Sequence, residues 1–235
     1  MIKKLVIGGV IVAMAAAAIL YFIPWGEYES KIEKSEVQVE EAIDSTGQVI
    51  PTLSTITGNF EIASGENVQA EILFHVEGLK KTKGAFEEFS IEFNVPEDYT
   101  QSSLTVNIAS KSINTNNGMR DEHLMEADFF DVENYPEIVF KSTSVSQSDT
   151  AYIAHGELTL LEETKTLDVP FKHLGGGENE EGEHFEAFEG KFIFDRIEYG
   201  MEEVTGAGNV VTVEFYCELF GGTSSPAIED VANGE

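Results

Sequence analysis

The chain is poor in cysteine, in arginine and in positive charge generally. Cys217 is the only cysteine of 235 residues, so no intramolecular disulfide can form. A cysteine nucleophile needs an activating partner, and none lies near Cys217 in sequence. It sits in the apolar-rich run VVTVEFYCEL and reads as a small buried hydrophobe. Basic residues number 14 against 43 acids, a net charge of −29. A surface of that sign repels phosphate backbones, which excludes nucleic acid as a partner. The plain role of the acidity is solubility. No two of the five histidines, His75, His123, His155, His173 and His184, have the His-x-His or His-x-x-x-His spacing of a metal site. No Asp-x-Asp-x-Asp-Gly loop, Gly-rich phosphate loop or Gly-x-Ser-x-Gly elbow is present. No metal or cofactor is therefore expected from local motifs.

What the chain does contain begins with one long apolar run. After Lys3 and Lys4, residues 5–23 are uncharged and apolar, and Pro24-Trp25 ends them. Nineteen helical residues span about 28 Å, the thickness of a bilayer's hydrocarbon core. The lysines predict an inside N-terminus, with everything after residue 26 outside the cytoplasm. Residues 1–26 are thus expected to be a transmembrane signal anchor. The alternative is a cleaved signal peptide, using the alanines at 15–18, which would release a secreted domain. The run exceeds an ordinary h-region and continues past those alanines, which favours the anchor. Residues 27–50 carry seven acids and two lysines without a deep apolar pattern, and read as a charged linker. Residues 221–235, GGTSSPAIEDVANGE, read as a disordered acidic tail.

Between linker and tail, at 51–220, period-two alternation dominates. One face carries Phe60 and Ile62; then Phe89, Ile91, Phe93 and Val95; then Leu104, Val106 and Ile108. Further runs follow at Ile138 and Phe140, at Leu158 and Leu160, at Leu167, Val169 and Phe171, at Phe192 and Phe194, and from Val211 to Leu219. Turn-rich pieces separate them. Seven or more such strands predict an all-β antiparallel sandwich or barrel. One short helix is expected around 117–130, with Leu124, Ala127 and Phe130 on one side. The run 175–190 carries six acids and no lysine or arginine, and is expected to be an expanded, solvated loop.

The segment 120–142, RDEHLMEADFFDVENYPEIVFKS, orders a helix turn, an aromatic pair, a proline break and a strand. This order resembles the YceI-like family, lipocalin-like antiparallel β-barrels that hold isoprenoid or other long-chain lipids. The resemblance covers about residues 52–220. It includes Gly84-Ala85-Phe86, Gly156-Glu157-Leu158-Thr159 followed by Thr164-Lys165, and Arg196-Ile197-Glu198-Tyr199-Gly200. The chain's two arginines, Arg120 and Arg196, both fall inside these matches. Two features depart from the family's pattern. His75 stands one residue early, a shift that turns a strand side chain to the other face. Leu161-Glu162-Glu163 replaces the usual His-Gly turn.

The resemblance implies a carrier that binds an apolar lipid, an isoprenoid or isoprenoid quinone, without bond chemistry. Residues expected on the ligand are Phe93, Val106, Ile108, Phe140, Phe171, Phe194 and Phe215, with Phe129 and Phe130 covering one end. Lys80, Lys81 and Lys83 are the densest basic spot and are expected to meet an anionic headgroup. Arg120, Asp121, His123 and Arg196 are expected to be structural, Arg120 tying the helix to the barrel by a two-point bond. Two other classes stay open: an enzyme or accessory using Arg120, Asp121 and His123 on such a lipid, and a solid-core scaffold or stress protein without ligand. Oligomeric state is not fixed by the sequence, and a dimer is one arrangement it allows.

Overall fold

The computed structural model describes residues 28–37, 52–62, 69–78, 81–148 and 151–224. The described residues form eleven antiparallel strands, of which the eight alternating runs supply all but β2, β3 and β6: β1 Ile56–Ile62, β2 Ala70–Gly78, β3 Thr82–Phe86, β4 Phe89–Val95, β5 Ser103–Ala109 and β6 Ile113–Asn114, then β7 Glu137–Ser148, β8 Ala151–Leu160, β9 Glu163–Glu178, β10 His184–Asp195 and β11 Ala207–Ser224. β4 shows the reason most plainly. Ile91, Phe93 and Val95 are buried while Ser90, Glu92 and Asn94 are exposed, as a strand with one face on a core requires.

Strands β1, β4, β5, β7, β8, β9, β10 and β11 pair in that order. β11 then pairs with β1, closing an eight-stranded barrel. Residues 219–224 of β11 face β1, whereas residues 207–217 face β2, from which β3 and β6 continue. Closure removes the free strand edges of an open sheet. β9 and β10 part beyond the Phe171–Gly190 pair, beside Pro170, which has no N–H to donate. On that side the 3-10 turn Arg196–Tyr199 brings buried Tyr199 against Lys165 of β9.

One end of the barrel is solid. Leu53, Ile56, Phe60 and Val95 are fully buried there, beneath the 3-10 turn Thr52–Thr55. The Tyr152 hydroxyl accepts from Leu53 N at 3.1 Å and fixes that turn. The other end is covered by a helix, α1, at Gly118–Leu124. Asn117 caps it by accepting from Arg120 N. The helix is shorter than the expected 117–130. After Leu124 the chain turns tightly, with Phe130 N donating to Leu124 O and Asp131 in a left-handed conformation. Ala127 is consequently exposed, while Leu124 and Phe130 do face inward.

Three boundaries differ from those expected. The run 175–190 is not a solvated loop. It is the end of β9, a short turn and the start of β10, with Phe185, Glu186, Ala187 and Phe188 all buried. Its exposed acids occupy only the turn and outer positions, and the alternation was masked by Glu186. That carboxylate is buried because it accepts from His173 Nε2 at 2.7 Å and His184 Nε2 at 2.9 Å. Residues 221–224, expected in the tail, belong to β11, which pairs Gly221 with Phe60 and Thr223 with Thr57, and the rest of the expected tail lies outside the described residues. Within the linker span, residues 28–37 have no helix or strand and lie against the outside of the barrel. Ile32 and Val37 pack on Phe185, Ala187 and Tyr216, and Ser35 N donates to Glu218 Oε1 at 3.1 Å. The anchor expected at 1–26 lies outside the described residues. Among the described residues no helix is long and apolar enough to cross a membrane.

Glu186 makes acid sensitivity predictable. Burial pushes its carboxyl up, but hydrogen bonds and the charge of His173, then of His184, outweigh this and hold it below 4.5. A depressed carboxyl stabilises the fold fully above its unfolded value, and that stabilisation is lost as pH falls through the folded value. Glu186→Gln should therefore lower stability by about 2 kcal/mol at pH 7. It should also flatten the decline below about pH 4.5. Urea unfolding of both proteins at pH 7 and pH 3.5 checks this, and a variant with the parent's pH slope would refute it.

Candidate functional site: an apolar lumen

The interior between the two ends is open. A cavity of about 180 Å³ runs along it, more than ten times the space a single buried water requires. Leu104, Val106 and Ile108 of β5 point inward yet are only partly buried. The same holds for Phe130, Phe192, Phe194 and Phe215. Inward side chains stay accessible only where nothing packs against them, so the phenylalanines coat the lumen and leave it unfilled. The floor is aromatic. Phe93 meets Phe188 and Phe171 edge-on at 5.5 and 6.1 Å, and His173 stacks beneath Phe188 at 5.0 Å.

The structure places all nine residues expected on the ligand, Phe93, Val106, Ile108, Phe129, Phe130, Phe140, Phe171, Phe194 and Phe215, on this cavity. Period-two parity was enough to find the strand members. Phe129 and Phe130 arrive from the turn after α1, and Phe130 closes edge-on over Phe86 at 5.6 Å. Cys217 also borders the lumen; burial, and then the charge of Glu218, push its thiol up to about 12. It is an inert part of the wall at neutral pH. His75 turns away from the lumen, as its one-residue displacement predicts. Its neighbours Phe74 and Val76 line the cavity while it meets Glu214 at 3.4 Å.

Lys81 and Lys83 do not border the cavity. Lys81 is exposed and pairs with Glu77 at 3.1 Å. Lys83 follows the inward Thr82 and so takes the outward position of β3, paired opposite His75. Lys80 lies outside the described residues. Density of charge along the sequence does not reveal which side of a wall it occupies.

The cations at the lumen are instead Arg120 and Arg196, which border it at the α1 end. Both have the structural ties expected of them. Arg120 makes two parallel bonds to Thr115, Nε to Oγ1 and Nη2 to the carbonyl, each 2.7 Å. Asp121 accepts from Thr115 N at 2.9 Å and from its hydroxyl, so helix and β6 are locked together. Arg196 is 3 % exposed and donates to Gly208 O at 2.9 Å and Glu202 O at 2.6 Å. Phe129 lies 5.8 Å from its guanidinium and 5.2 Å from the His123 ring. His123 is exposed and does not border the cavity. Sequence reasoning assigned the arginines to structure, with Arg120 also a candidate in the enzymatic alternative; their place on the lumen depends on the loop ends meeting, as Glu202 N does by donating to Asp128 O.

Comparison with known proteins agrees with this architecture. The YceI-like domain family matches residues 30–219. A UPF0312 protein of Vibrio cholerae is 31% identical over 157 residues, covering 65% of this chain and 82% of its own. Protein YceI of Escherichia coli is 30% identical over 139 residues, 58% of this chain and 72% of its own. Among solved structures, BcnA of Burkholderia cenocepacia superposes with a TM-score of 0.58 at 20% identity, over 65% of this chain and 96% of that one. A polyisoprenoid binding domain from Saccharophagus degradans, implicated in plant cell wall breakdown, gives 0.51 at 11% identity, over 72% and 99%. These two likenesses establish the barrel fold. The extent of the sequence match establishes descent: the chain belongs to the YceI-like family.

Proposed function

We propose that this protein holds one long-chain apolar lipid, an isoprenoid or isoprenoid quinone, inside its barrel and shields it from water. The open lumen walled by partly accessible apolar side chains carries this reading. Each methylene moved from water into such a lumen contributes about 0.8 kcal/mol. Roughly ten buried carbons contribute about 8 kcal/mol, the size of a micromolar binding free energy, and the further carbons of a long chain offset the association costs. The polyisoprenoid binding domain among its structural neighbours supports the same class of ligand. The proposal places the barrel outside the cytoplasm, held to the membrane by residues 1–26, on the strength of the basic start and the apolar run.

The reading is binding rather than catalysis. Asp121 is engaged with Thr115, His123 does not border the lumen, and the Cys217 thiol is pushed up. The test is mass spectrometry of organic extracts from purified protein, followed by titration of the extracted protein with farnesol and decylubiquinone. A co-purifying lipid and saturable binding of either probe are expected. Empty protein that binds neither would refute the proposal. His123→Ala should leave binding unchanged; an extracted lipid that the parent converts and this variant does not would favour the enzymatic alternative.

A further inference from the structure

The lumen is apolar along its whole length except at one end. Of the side chains that border it among the described residues, Thr82, Arg120 and Arg196 are the ones with polar groups other than the Cys217 thiol. All three lie at the same end. Thr82 pairs with Val76 and Val76 with Val211 at the α1 end of the wall. Arg120 is on α1, and Arg196 is at the turn whose Glu202 bonds the α1 loop. The opposite end of the lumen holds Phe93, Phe171, Phe188 and Leu219.

We propose that Arg120, Arg196 and Thr82 form a head-group site for an anionic oxygen group, a carboxylate or a phosphate, on the lipid whose chain fills the lumen. This deepens the lipid-holding reading and rests on it. Thr115 fixes one edge of the Arg120 guanidinium, and the Gly208 and Glu202 carbonyls fix Arg196, so both cations are oriented before any ligand arrives. Hydrogen bonds from a guanidinium to an anionic oxygen are roughly twice as strong as neutral ones, and low dielectric strengthens them further. A quinone carbonyl would meet the same donors with a weaker bond, charged on the donor side only. The lipid therefore enters with one orientation, head at α1 and chain towards Phe188.

One feature opposes anions on approach. Glu122, Glu126, Asp128, Glu198, Glu202 and Glu203 are exposed on the two loops around this end. These groups stand in water, where salt screens them beyond about 8 Å, whereas the arginines at the lumen are screened much less. They slow arrival without cancelling the inner site, and loading of an anion should quicken with added salt.

The experiment uses the full chain, stripped of lipid, and four probes with the same sixteen-carbon chain: hexadecanoate, hexadecyl phosphate, hexadecanol and hexadecyltrimethylammonium. At pH 8 at least one of the two anions should bind about tenfold or more tighter than the alcohol, and the ammonium weakest of all. Which anion leads separates carboxylate from phosphate. Arg120→Met should cut the anion-to-alcohol ratio severalfold while hexadecanol binding persists, a change that a merely structural role would not produce. Arg196→Lys keeps the charge and should retain the preference of anion over ammonium. Equal binding of all four probes, or an unchanged ratio in a folded Arg120→Met, would overturn the head-group site alone. Failure of every probe to bind would overturn the lipid-holding reading with it.

Discussion

Val106→Trp is expected to abolish the proposed lipid binding and leave the protein folded. Val106 sits mid-strand on β5, opposite Ile91 on β4 and Phe140 on β7, and points into the lumen. In a packed core an added indole forces rotamers and backbone apart at a cost of about 1–3 kcal/mol. Here the ring enters open space, so the expected change in stability is within about 1 kcal/mol. The ligand bears the consequence. Displacing four chain carbons forfeits about 3 kcal/mol, more than a hundredfold in affinity. Lipid recovered per mole of protein, read alongside a thermal melt, checks both halves. If Val106→Trp carries as much lipid as the parent, the ligand does not lie in the lumen.

The second large effect is the reverse, a loss of stability at the solid end. Phe60 is 1 % exposed and its ring lies over Gly222, where no side chain intervenes. A Cβ at Gly222 would stand 2.2 Å from that ring, so the glycine is required by the close approach. Truncating Phe60 to alanine opens a void that the surrounding β1, β4 and β11 cannot close. The expected cost is about 3–5 kcal/mol. For a domain of this size that lowers the melting temperature by about 10 °C or more. Phe194→Ala gives the contrast. Phe194 already faces the lumen, so its loss enlarges an existing space and should cost much less. Equal destabilisation by the two variants would show that the lumen is packed in solution.

These predictions separate two kinds of inward residue that look alike in sequence. Phe60 and Phe194 both sit on the inward side of alternating strands. The period of two reports which side of a wall a residue faces, and the strand phenylalanines it turned inward do line the cavity. It does not report how much room lies on that side, which depends on the side chains of strands far away in sequence. The acidic run 175–190 fails for a related reason. Glu186 reads as a surface residue until His173 and His184 are brought against it, and Phe185 and Ala187 read as loop residues until the segment at 28–37 covers them. Lys81 and Lys83 differ in the opposite direction, away from the cavity, because a run of charge looks like a site wherever it lies. The order of helix turn, aromatic pair, proline break and strand at 120–142 was informative because it is local and each piece has its own backbone requirement.

The sequence by itself determined an all-β antiparallel fold with one short helix and the inward face of the eight alternating runs, since these follow from the periodicity of neighbouring residues, and the family resemblance implied the barrel. Only the tertiary structure decided that the barrel is hollow and that its polar groups gather at one end. Both are sums over contacts between segments as distant as Thr82, Arg120 and Arg196, and no local pattern encodes the space those segments leave between them.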